Sequence, residues 1–339
     1  KGPFLMMNVA IVALPNCHAS GVHGVMDFFT VANYCARVPG VHSDPLFNCQ
    51  VVTVDDQPVR GYSGALVTPT VCRESFRPDL IVVGSSVEAA VNAELLERTL
   101  APATPLFGWL REAVEQGVVV ASVCTGSFVL AEAGLLYDQV ATTHWRAASL
   151  FRDRYPDIRL DEDQLLVDNG RIICAGGATA FVDLCLYLVE RFASPSVALA
   201  CGKMLVLDGR RVEQTPYMAF YSRKAHQDDP IRKAQTWLEN HYSDPISIDD
   251  VADVAGLGTR TFKRRFKEAT GETPIGYLQH LRIEAAKHKL ESSREQTARI
   301  IWSVGYEDAS SFRRLFKRTV GCTMEQYRKR FSYVTPLAV

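Results

Sequence analysis

A cysteine follows an apolar run in the segment Ala121–Leu130, which has the sequence ASVCTGSFVL. The run 118–123 predicts a buried strand, and Gly126 with the residues after it predicts a turn into a helix. A strand, a sharp turn that carries a nucleophile and a helix form a nucleophile elbow, here with Cys124 in place of serine. We expect this turn to expose the side chain at the end of a sheet and the helix N-terminus to lower the pKa of the thiol. The alternative is a small buried cysteine that closes a strand.

Short runs rich in Val and Ile alternate with helical patterns along the first two thirds of the chain. Such runs are typical of strands that are buried on both faces of a parallel sheet. The alternation predicts an α/β domain with an open, mostly parallel, flavodoxin-like sheet and helices on both faces. Ligands bind at the carboxyl ends of the strands in such sheets, where Cys124 is expected. The predicted strands are Asn8–Pro15, Gln50–Val54, Leu80–Gly84, Val118–Val123 and Arg171–Ala175, and the predicted helices are Val22–Ala36, Leu106–Glu115, Ser127–Ala133, Arg146–Arg154 and Ala180–Phe192.

The elbow segment continues as ASVCTGSFVLAEAGLL and is followed by ATTHW at Ala141–Trp145. With LIVVGSS at Leu80–Ser86 and CAGGATA at Cys174–Ala180, it closely resembles the class I glutamine amidotransferase-like, PfpI-type domain found in regulators. The resemblance spans roughly residues 8–200. It implies an amidotransferase-like fold in which Asp27 of the first helix points at Cys124, with His144 on the same rim.

The resemblance also implies a pocket around Cys124. Asp27 and the ring of Trp145 or Phe28 would receive a cationic amine, because aromatic faces attract ammonium groups. The backbone amides of Gly84, Ser85 and Thr125 would receive a carboxylate. A small zwitterion, such as an amino acid or a betaine-like compound, satisfies both ends. The residues expected to bind the ligand are Asp27, Gly84, Ser85, Cys124, Thr125, His144 and Trp145.

A thiol beside an imidazole and a carboxylate is also the arrangement of a cysteine hydrolase. Cys124, His144 and Asp27 would be the catalytic residues of an active site. However, Thr125 follows Cys124 at the position where PfpI-type hydrolases usually carry histidine. We therefore expect a catalytically silent pocket that senses a ligand. The alternative is a thiol-dependent amidase or isonitrile hydratase-like hydrolase tethered to DNA, and the simpler interpretations of Asp27 and His144 are a solvated helix carboxylate and a packed structural histidine.

The last third of the chain repeats itself at a spacing of 50 residues. Each copy predicts a short apolar helix, a turn with glycine and a basic amphipathic helix, which together form a helix-turn-helix. Helical spacing directs the repeated phenylalanines towards the core and the basic residues outwards, where the second helix of each motif would enter a DNA major groove. A strong helical pattern at Ile275–Glu291 connects the copies, so the region is expected to be all-α. Matched pairs include Phe262 and Phe312, Phe266 and Phe316, Gly271 and Gly321, and Tyr277 and Tyr327.

The segments IDDVADVAGLGTRTFKRRF and IIWSVGYEDASSFRRLFKRTVGC strongly resemble the AraC/XylS-type DNA-binding domain over Ile231–Phe331. The resemblance implies double-stranded promoter or operator DNA as a partner. It places base contacts at Arg260, Lys263 and Arg264 in the first recognition helix and at Ala309, Ser310, Arg313 and Arg314 in the second. Lys267, Lys317 and Arg318 would contact phosphates, and Ser311 completes the predicted DNA-binding set. The two resemblances together are typical of a GlxA-type transcriptional regulator.

Charge supports a division of the 339 residues into two domains. Ile231–Val334 contains 19 Lys and Arg against 13 Asp and Glu, whereas the remainder contains 18 against 25. A basic module on an acidic body is typical of a nucleic-acid-binding protein. The predicted organisation is a sensing domain at 6–211, a linker at 212–230 and a DNA-binding domain at 231–333. Aromatic residues in the linker, such as Tyr217 and Phe220, would be costly to leave in water, so we expect it to be partly ordered.

The composition excludes several classes of protein. No apolar run approaches the length of a membrane span, and the N-terminus lacks the pattern of a signal peptide. The nine cysteines are scattered without a CxxC motif, which predicts neither a disulfide framework nor a zinc site. We expect a cytoplasmic homodimer without metal or cofactor. Its expected partners are DNA, a small-molecule effector and RNA polymerase, with no membrane among them.

Overall fold

The computed structural model describes residues 6–37, 45–86, 88–90, 92–209, 211–220, 224 and 226–334. The chain forms two compact units, of which the first ends at Gln214 and the second begins at Thr215. The linker predicted at 212–230 is therefore divided between the two units. Its residues 221–223 and 225 lie outside the described part of the chain.

A six-stranded sheet forms the centre of the first unit, in the strand order β2-β1-β5-β6-β10-β9. All neighbours in this sheet are parallel except β9, which is antiparallel to β10. The sheet confirms the prediction of an open, mostly parallel α/β fold. The strands of the unit are β1 (Met7–Val12), β2 (Phe47–Val52), β3 (Val59–Arg60), β4 (Leu66–Val67), β5 (Leu80–Val83), β6 (Val119–Val123), β7 (Val140–Ala141), β8 (Arg159–Leu160), β9 (Leu166–Asp168) and β10 (Ile172–Ala175).

The register brings the carboxyl ends of the central strands to one edge of the sheet. Val12 of β1 pairs with Val83 of β5, and Ala175 of β10 pairs with Val123 of β6. The loops that follow these strands therefore all lie at the same edge of the sheet. The candidate site lies at this edge, as expected for an open α/β sheet.

Helices cover both faces of the sheet. One apolar cluster joins one face to α1, α5 and α6, and a second joins the other face to α2, α3 and α4. The alternating residues of each buried strand contribute to the two clusters in turn, which explains the near-continuous Val and Ile runs. The helices are α1 (Ala19–Cys35), α2 (Ala93–Glu115), α3 (Gly126–Glu132), α4 (Ala148–Arg154), α5 (Phe181–Phe192) and α6 (Pro195–Met204).

Helix α2 is longer than the sequence predicted, because it begins at Ala93 rather than Leu106. Asn92 caps it by accepting a hydrogen bond from the Leu95 N–H, and the helix continues through Pro102 and Pro105. An interior proline costs a helix about 3 kcal/mol. An unbroken row of buried residues, from Leu96 to Ala113, shows that packing on the sheet outweighs this cost.

The described part of the second unit is helical, and it confirms the two helix-turn-helix motifs. Each motif has its own apolar cluster. Helix α10 contributes Tyr277 and Leu278 to the first cluster and Ile283 and Leu290 to the second, so one continuous helix connects both cores. The helices are α7 (Asp229–His241), α8 (Ile248–Val254), α9 (Thr259–Thr270), α10 (Pro274–Ser292), α11 (Thr297–Ser303), α12 (Ala309–Val320) and α13 (Met324–Phe331).

The sequence repeat is also a structural repeat. Gly271 ends α9 and Gly321 ends α12, with φ angles of 82° and 79°. Glycine adopts this left-handed conformation without steric cost, which explains why both copies carry it. Thr273 and Thr323 then cap the N-termini of the next helices. The matched residues therefore determine equivalent turns in the two motifs as well as equivalent cores.

Candidate functional site

The turn at Cys124 has the backbone of an elbow. Its φ angle is 55°, in the left-handed region that costs a residue with a side chain roughly 1–2 kcal/mol. The Cys124 N–H donates to the Ala175 carbonyl at 2.6 Å, and α3 begins at Gly126. A β-carbon on Gly126 would lie 2.6 Å from the carbonyl oxygen of Val83. Glycine thus allows α3 to begin against the end of β5, as the strand–turn–helix pattern predicted.

The thiol of Cys124 is buried, with only 4% of the residue exposed. Burial raises the pKa of the thiol to about 12, and hydrogen bonds from Thr125 oppose this only in part. No carboxylate or imidazole among the described residues contributes to the shift. The expectation of an exposed thiol with a lowered pKa is therefore wrong, because desolvation outweighs the hydrogen bonds from Thr125 at the start of α3. At neutral pH Cys124 is a protonated thiol.

Thr125 ties the elbow to the loop after β5. Its hydroxyl donates to the Ser86 carbonyl at 2.7 Å and accepts from the Ser86 N–H at 3.0 Å. Ser86 and Thr125 are both buried. The position that carries histidine in PfpI-type hydrolases thus has a structural role here.

One of the three amides expected to receive a carboxylate, that of Gly84, is already used within the fold. The Gly84 N–H donates to the Val12 carbonyl at 3.1 Å, and a β-carbon on Gly84 would approach that oxygen to 2.9 Å. The Ser85 carbonyl accepts from the His18 N–H at 2.9 Å. The Gly84 amide is therefore not available to a ligand, because the close packing of β1 and β5 uses it.

A narrow cavity, here called the elbow crevice, lies at the carboxyl edge of the sheet and has space for about one water molecule. Its polar groups come from His18 and Ser85. The Nε2 atom of His18 is 3.0 Å from the Ser20 hydroxyl, whereas its buried Nδ1 atom has no hydrogen-bond partner among the described residues. An unpartnered buried nitrogen favours a water or a ligand at this place. The crevice is lined by Ile11, His18, Gly21, Val22, Val25, Val82, Gly84, Ser85, Val123 and Phe181.

His18 is not among the site residues predicted from the sequence, although its position carries a signal. His18 follows the carboxyl end of β1, which is where ligand-binding residues are expected in this fold. His18 immediately before α1 lines the crevice together with Gly21, Val22 and Val25 of the helix. The carboxylate of Asp27 is on an exposed part of the same helix. The structure does not bring Asp27 into the crevice, and its exposure fits a solvated helix carboxylate.

His144 caps a short 3₁₀ helix at Trp145–Ala147. Its Nδ1 atom accepts a hydrogen bond of 3.1 Å from the Arg146 N–H. Burial, and then the charge of Arg146, lower the pKa of His144 to about 4, so the imidazole is neutral at physiological pH. The ring of Trp145 stacks on it with centroids 5.5 Å apart. These contacts fit the interpretation of His144 as a packed structural histidine.

Gln214 connects this loop to the elbow through hydrogen bonds, and it is not among the residues predicted from the sequence. Its amide nitrogen donates to the Thr143 carbonyl at 2.8 Å, and its amide oxygen accepts from the Trp145 N–H at 3.3 Å. Thr143 in turn donates to the Cys124 carbonyl at 3.2 Å. A β-carbon on Gly176 would lie 2.1 Å from the Gln214 amide, so glycine leaves the space that this side chain fills. The last residue of the first unit is thus two hydrogen bonds from the elbow.

The first recognition helix, α9, presents the expected basic face. Phe262 and Phe266 are fully buried. The side chains of Arg260, Lys263, Arg264 and Lys267 are exposed. Arg264 pairs with Glu268 through two contacts of 2.9 Å, and an exposed pair of this kind contributes little stability and can be exchanged for another partner.

The second recognition helix, α12, repeats this arrangement. Phe312 and Phe316 are fully buried. The side chains of Ser310, Arg313, Arg314, Lys317 and Arg318 are exposed. Ser311 is only partly exposed, because its hydroxyl donates to Asp308 at 2.5 Å and accepts from Arg314 at 3.0 Å. The structure thus gathers the predicted DNA-binding side chains of this motif on one helix.

No helix within the described ranges is long and apolar enough to span a bilayer. Among the same residues, no group of three or more His, Cys, Asp and Glu side chains could hold a metal ion.

Comparison with known proteins finds a match to each unit. Residues 45–191 match the DJ-1/PfpI family, and residues 251–330 match a helix-turn-helix domain. The HTH-type transcriptional regulator CdhR of Pseudomonas aeruginosa is 27% identical over 316 residues, which cover 93% of this chain and 91% of that protein. The HTH-type transcriptional regulator GbdR of the same species is 22% identical over 280 residues, which cover 81% of this chain and 73% of that protein.

A solved structure supports the assignment of the fold. A protein of Vibrio parahaemolyticus described as a transcriptional regulator superposes with a TM-score of 0.51 and 25% identity, over 59% of this chain and 100% of that chain. The α/β sheet with its cysteine elbow, the paired helix-turn-helix motifs and the relatives that match along most of the chain agree with one another. The chain is a DNA-binding transcriptional regulator in which a DJ-1/PfpI-family domain is joined to an AraC-type helix-turn-helix domain.

Proposed function

We propose that the first domain senses a small metabolite at the elbow crevice and that its occupancy controls DNA binding by the second domain. The ligand class we favour is an amino acid or a betaine-like amine. The observation that carries the proposal is the buried Nδ1 atom of His18, which lies at the ligand-binding edge of the sheet without a partner among the described residues. A ligand carboxylate or a water would satisfy it.

The crevice also offers a surface for an amine. The ring of Phe181 lines it opposite residues of α1, and ring faces attract ammonium groups. The existing space accommodates about one water molecule, so binding requires the crevice to open. The Phe181 ring packs tightly against Gly24, because a β-carbon on Gly24 would lie 2.5 Å from the ring. Displacement of this ring is the simplest way to open the crevice.

The groups around Cys124 support ligand sensing better than they support catalysis by a cysteine hydrolase. The thiol of Cys124 is protonated at neutral pH, Thr125 is committed to Ser86, and His144 is a neutral cap. A cysteine hydrolase needs a thiolate and a base within reach of it. The protonated thiol of Cys124, and the use of the His144 Nδ1 atom as an acceptor for the Arg146 N–H, support sensing over turnover.

A thermal-shift screen of the full chain against amino acids, betaines and simple amines tests the proposal. A ligand that binds only the native state adds about 2.7 kcal/mol of stability at a hundred times its dissociation constant. We expect at least one compound to raise the melting temperature, and this effect to be lost in His18→Gln and in Phe181→Leu. Asp27→Asn is the matched control on the exposed part of α1 and should keep the effect. Loss in Asp27→Asn with retention in the other two variants would overturn the crevice as the binding site.

A thiol-dependent amidase or isonitrile hydratase-like hydrolase is the second candidate. The left-handed backbone of Cys124 favours it, because this strained conformation is what an elbow uses to present a nucleophile. Turnover of amide or isonitrile substrates that disappears in Cys124→Ser would establish this activity. Ligand-dependent DNA binding that survives Cys124→Ser supports the sensor.

The exposed basic faces of α9 and α12 support assignment of the base and phosphate contacts to the residues named from the sequence. We infer that base edges are read by Arg260, Lys263 and Arg264 of α9 and by Ala309, Ser310, Arg313 and Arg314 of α12. Phosphates are contacted by Lys267, Lys317 and Arg318. Ser311 acts from the N-terminal turn of α12 by holding Arg314.

Three further parts of the proposal rest on the family resemblance. The regulator acts in the cytoplasm, as a homodimer, and contacts RNA polymerase at its promoter. Sedimentation of the purified chain, with and without DNA, tests the homodimer, and a monomer under both conditions would contradict it.

A further inference from the structure

Three sulfur atoms meet where α1 packs on α6. Cys35 is the last residue of α1, and its Sγ atom lies 3.7 Å from the Sδ atom of Met204. Cys201 lies one turn before Met204 on α6, and its thiol is within hydrogen-bond range of the Cys35 thiol. The two thiols are therefore neighbours at the contact between α1 and α6.

Access to the two thiols is unequal. Cys35 is partly exposed and Met204 is 51% exposed, whereas Cys201 is fully buried. A small oxidant in solvent can therefore reach Cys35 first. Burial, reinforced by Cys35, raises the pKa of Cys201 to about 12, so Cys201 is a protonated thiol at neutral pH and is not the first thiol to be attacked.

We propose that Cys35 and Cys201 form a peroxide-sensitive thiol pair that closes to a disulfide between α1 and α6. Hydrogen peroxide oxidises the Cys35 thiol to a sulfenic acid and is itself reduced to water. The Cys201 sulfur then attacks the Cys35 sulfur, the S–O bond breaks, and the hydroxyl group leaves with the Cys201 proton as a second water. The site is independent of the proposed effector and of the elbow cysteine.

The geometry favours this outcome over further oxidation of Cys35. A sulfenic acid with a thiol in contact condenses to a disulfide, whereas an isolated one proceeds to sulfinic acid. Cys72 provides the contrast within this chain, because it is exposed and its thiol donates to the Asp56 carboxylate at 2.9 Å rather than to another thiol. We expect Cys72 to be oxidised without forming a disulfide to a neighbour within the chain.

The consequence for the fold is a covalent link at the end of α1, the helix that supplies Gly21, Val22 and Val25 to the elbow crevice. A disulfide joins sulfurs about 2.05 Å apart, so the two side chains must approach from hydrogen-bond contact and the helix ends must adjust slightly. Oxidation therefore restrains α1 against α6.

Peptide mapping of the full chain after treatment with hydrogen peroxide tests the proposal. We expect one linked peptide pair that contains Cys35 and Cys201, is absent before treatment and is released by dithiothreitol. Cys35→Ser and Cys201→Ala should each abolish the linked pair, and Cys72→Ser, the matched control, should retain it. Mapping on the unaltered chain needs no variant, so a folding defect in Cys201→Ala leaves the test intact. Recovery of Cys35 only as sulfinic or sulfonic acid, or linked to a different cysteine, would overturn the proposal.

Discussion

Ser86 and Thr125 hold each other through two reciprocal hydrogen bonds, from main chain to side chain and from side chain to main chain. The two residues are 39 positions apart in the chain and follow neighbouring parallel strands. The pair therefore closes the edge of the sheet between β5 and β6. A threonine here uses its hydroxyl as both donor and acceptor, so the elbow is fixed without any group that titrates.

Replacement of Thr125 by valine should destabilise the first domain. Thr125→Val preserves the shape of the side chain but leaves the buried N–H and carbonyl of Ser86 without their partner, which costs roughly 1–3 kcal/mol. Urea unfolding followed through the tryptophans of the first domain, Trp109 and Trp145, measures the loss. Thr125→Ser keeps the hydroxyl and is the matched control. Equal midpoints for Thr125→Val and the unaltered chain would show that the pair contributes nothing.

Alkylation of Cys124 should accelerate steadily with alkalinity. With the pKa of its thiol raised to about 12 by burial, the thiolate fraction grows tenfold for each pH unit through the neutral and mildly alkaline range. Mass spectrometry of iodoacetamide-treated protein measures the rate at Cys124, and the same peptide in denaturant should level off near the ordinary thiol pKa of about 8.5. A plateau near neutrality in the folded chain would instead reveal an activated thiolate and favour the hydrolase.

His144 should make the first domain sensitive to acid. Its pKa is lowered to about 4 in the folded chain by burial and Arg146, against roughly 6.5 when unfolded. The unfolded state therefore binds a proton first, so the contribution is complete above the unfolded pKa and is lost as the pH falls towards the folded one. His144→Asn keeps an acceptor for the Arg146 N–H but does not titrate. Unfolding midpoints across this window should decline less steeply in the variant, and parallel curves would contradict the assignment.

The dependence of DNA affinity on salt concentration should distinguish base contacts from phosphate contacts on α12. Arg313→Ala should cost about 1–3 kcal/mol and relax the sequence preference at one base pair. Lys317→Ala should weaken binding evenly across sequences and reduce the salt slope by about one. Fluorescence anisotropy with fragments that the protein itself selects from random DNA provides the measurement. Lys203→Ala, an equal change of charge in the first domain, is the control, and a comparable loss there would show a general effect of charge.

Local periodicity explains what the sequence could predict. The Val and Ile runs define strands buried on both faces, so the alternation alone indicates the α/β sheet. The repeat at 50 residues places Phe262 and Phe312 in equivalent cores and therefore orients the basic faces of both recognition helices. Gly126 predicts the turn at Cys124 because only glycine permits the close approach to Val83.

The chemistry of the elbow depends on contacts between distant parts of the chain, which periodicity does not encode. Burial of Cys124 reverses the expected direction of its pKa shift, and nothing in the local sequence reports that burial. The exposure of Asp27 follows from the position of α1 on the sheet, which directs His18 towards the crevice instead. Gln214 reaches Thr143 across 71 positions, too far for any motif to reveal.

The anchoring of Gln214 determines where the two domains can be separated or recombined. Its amide nitrogen reaches four oxygens, from Thr142, Thr143, Glu162 and Gln164. A chimera cut at residue 211, the domain end predicted from the sequence, would remove the donor and leave an empty space beside Gly176. A chimera that joins the first domain to another DNA-binding module should therefore begin the foreign sequence at position 215. The first domain then keeps Gln214, whose side chain fills the space beside Gly176.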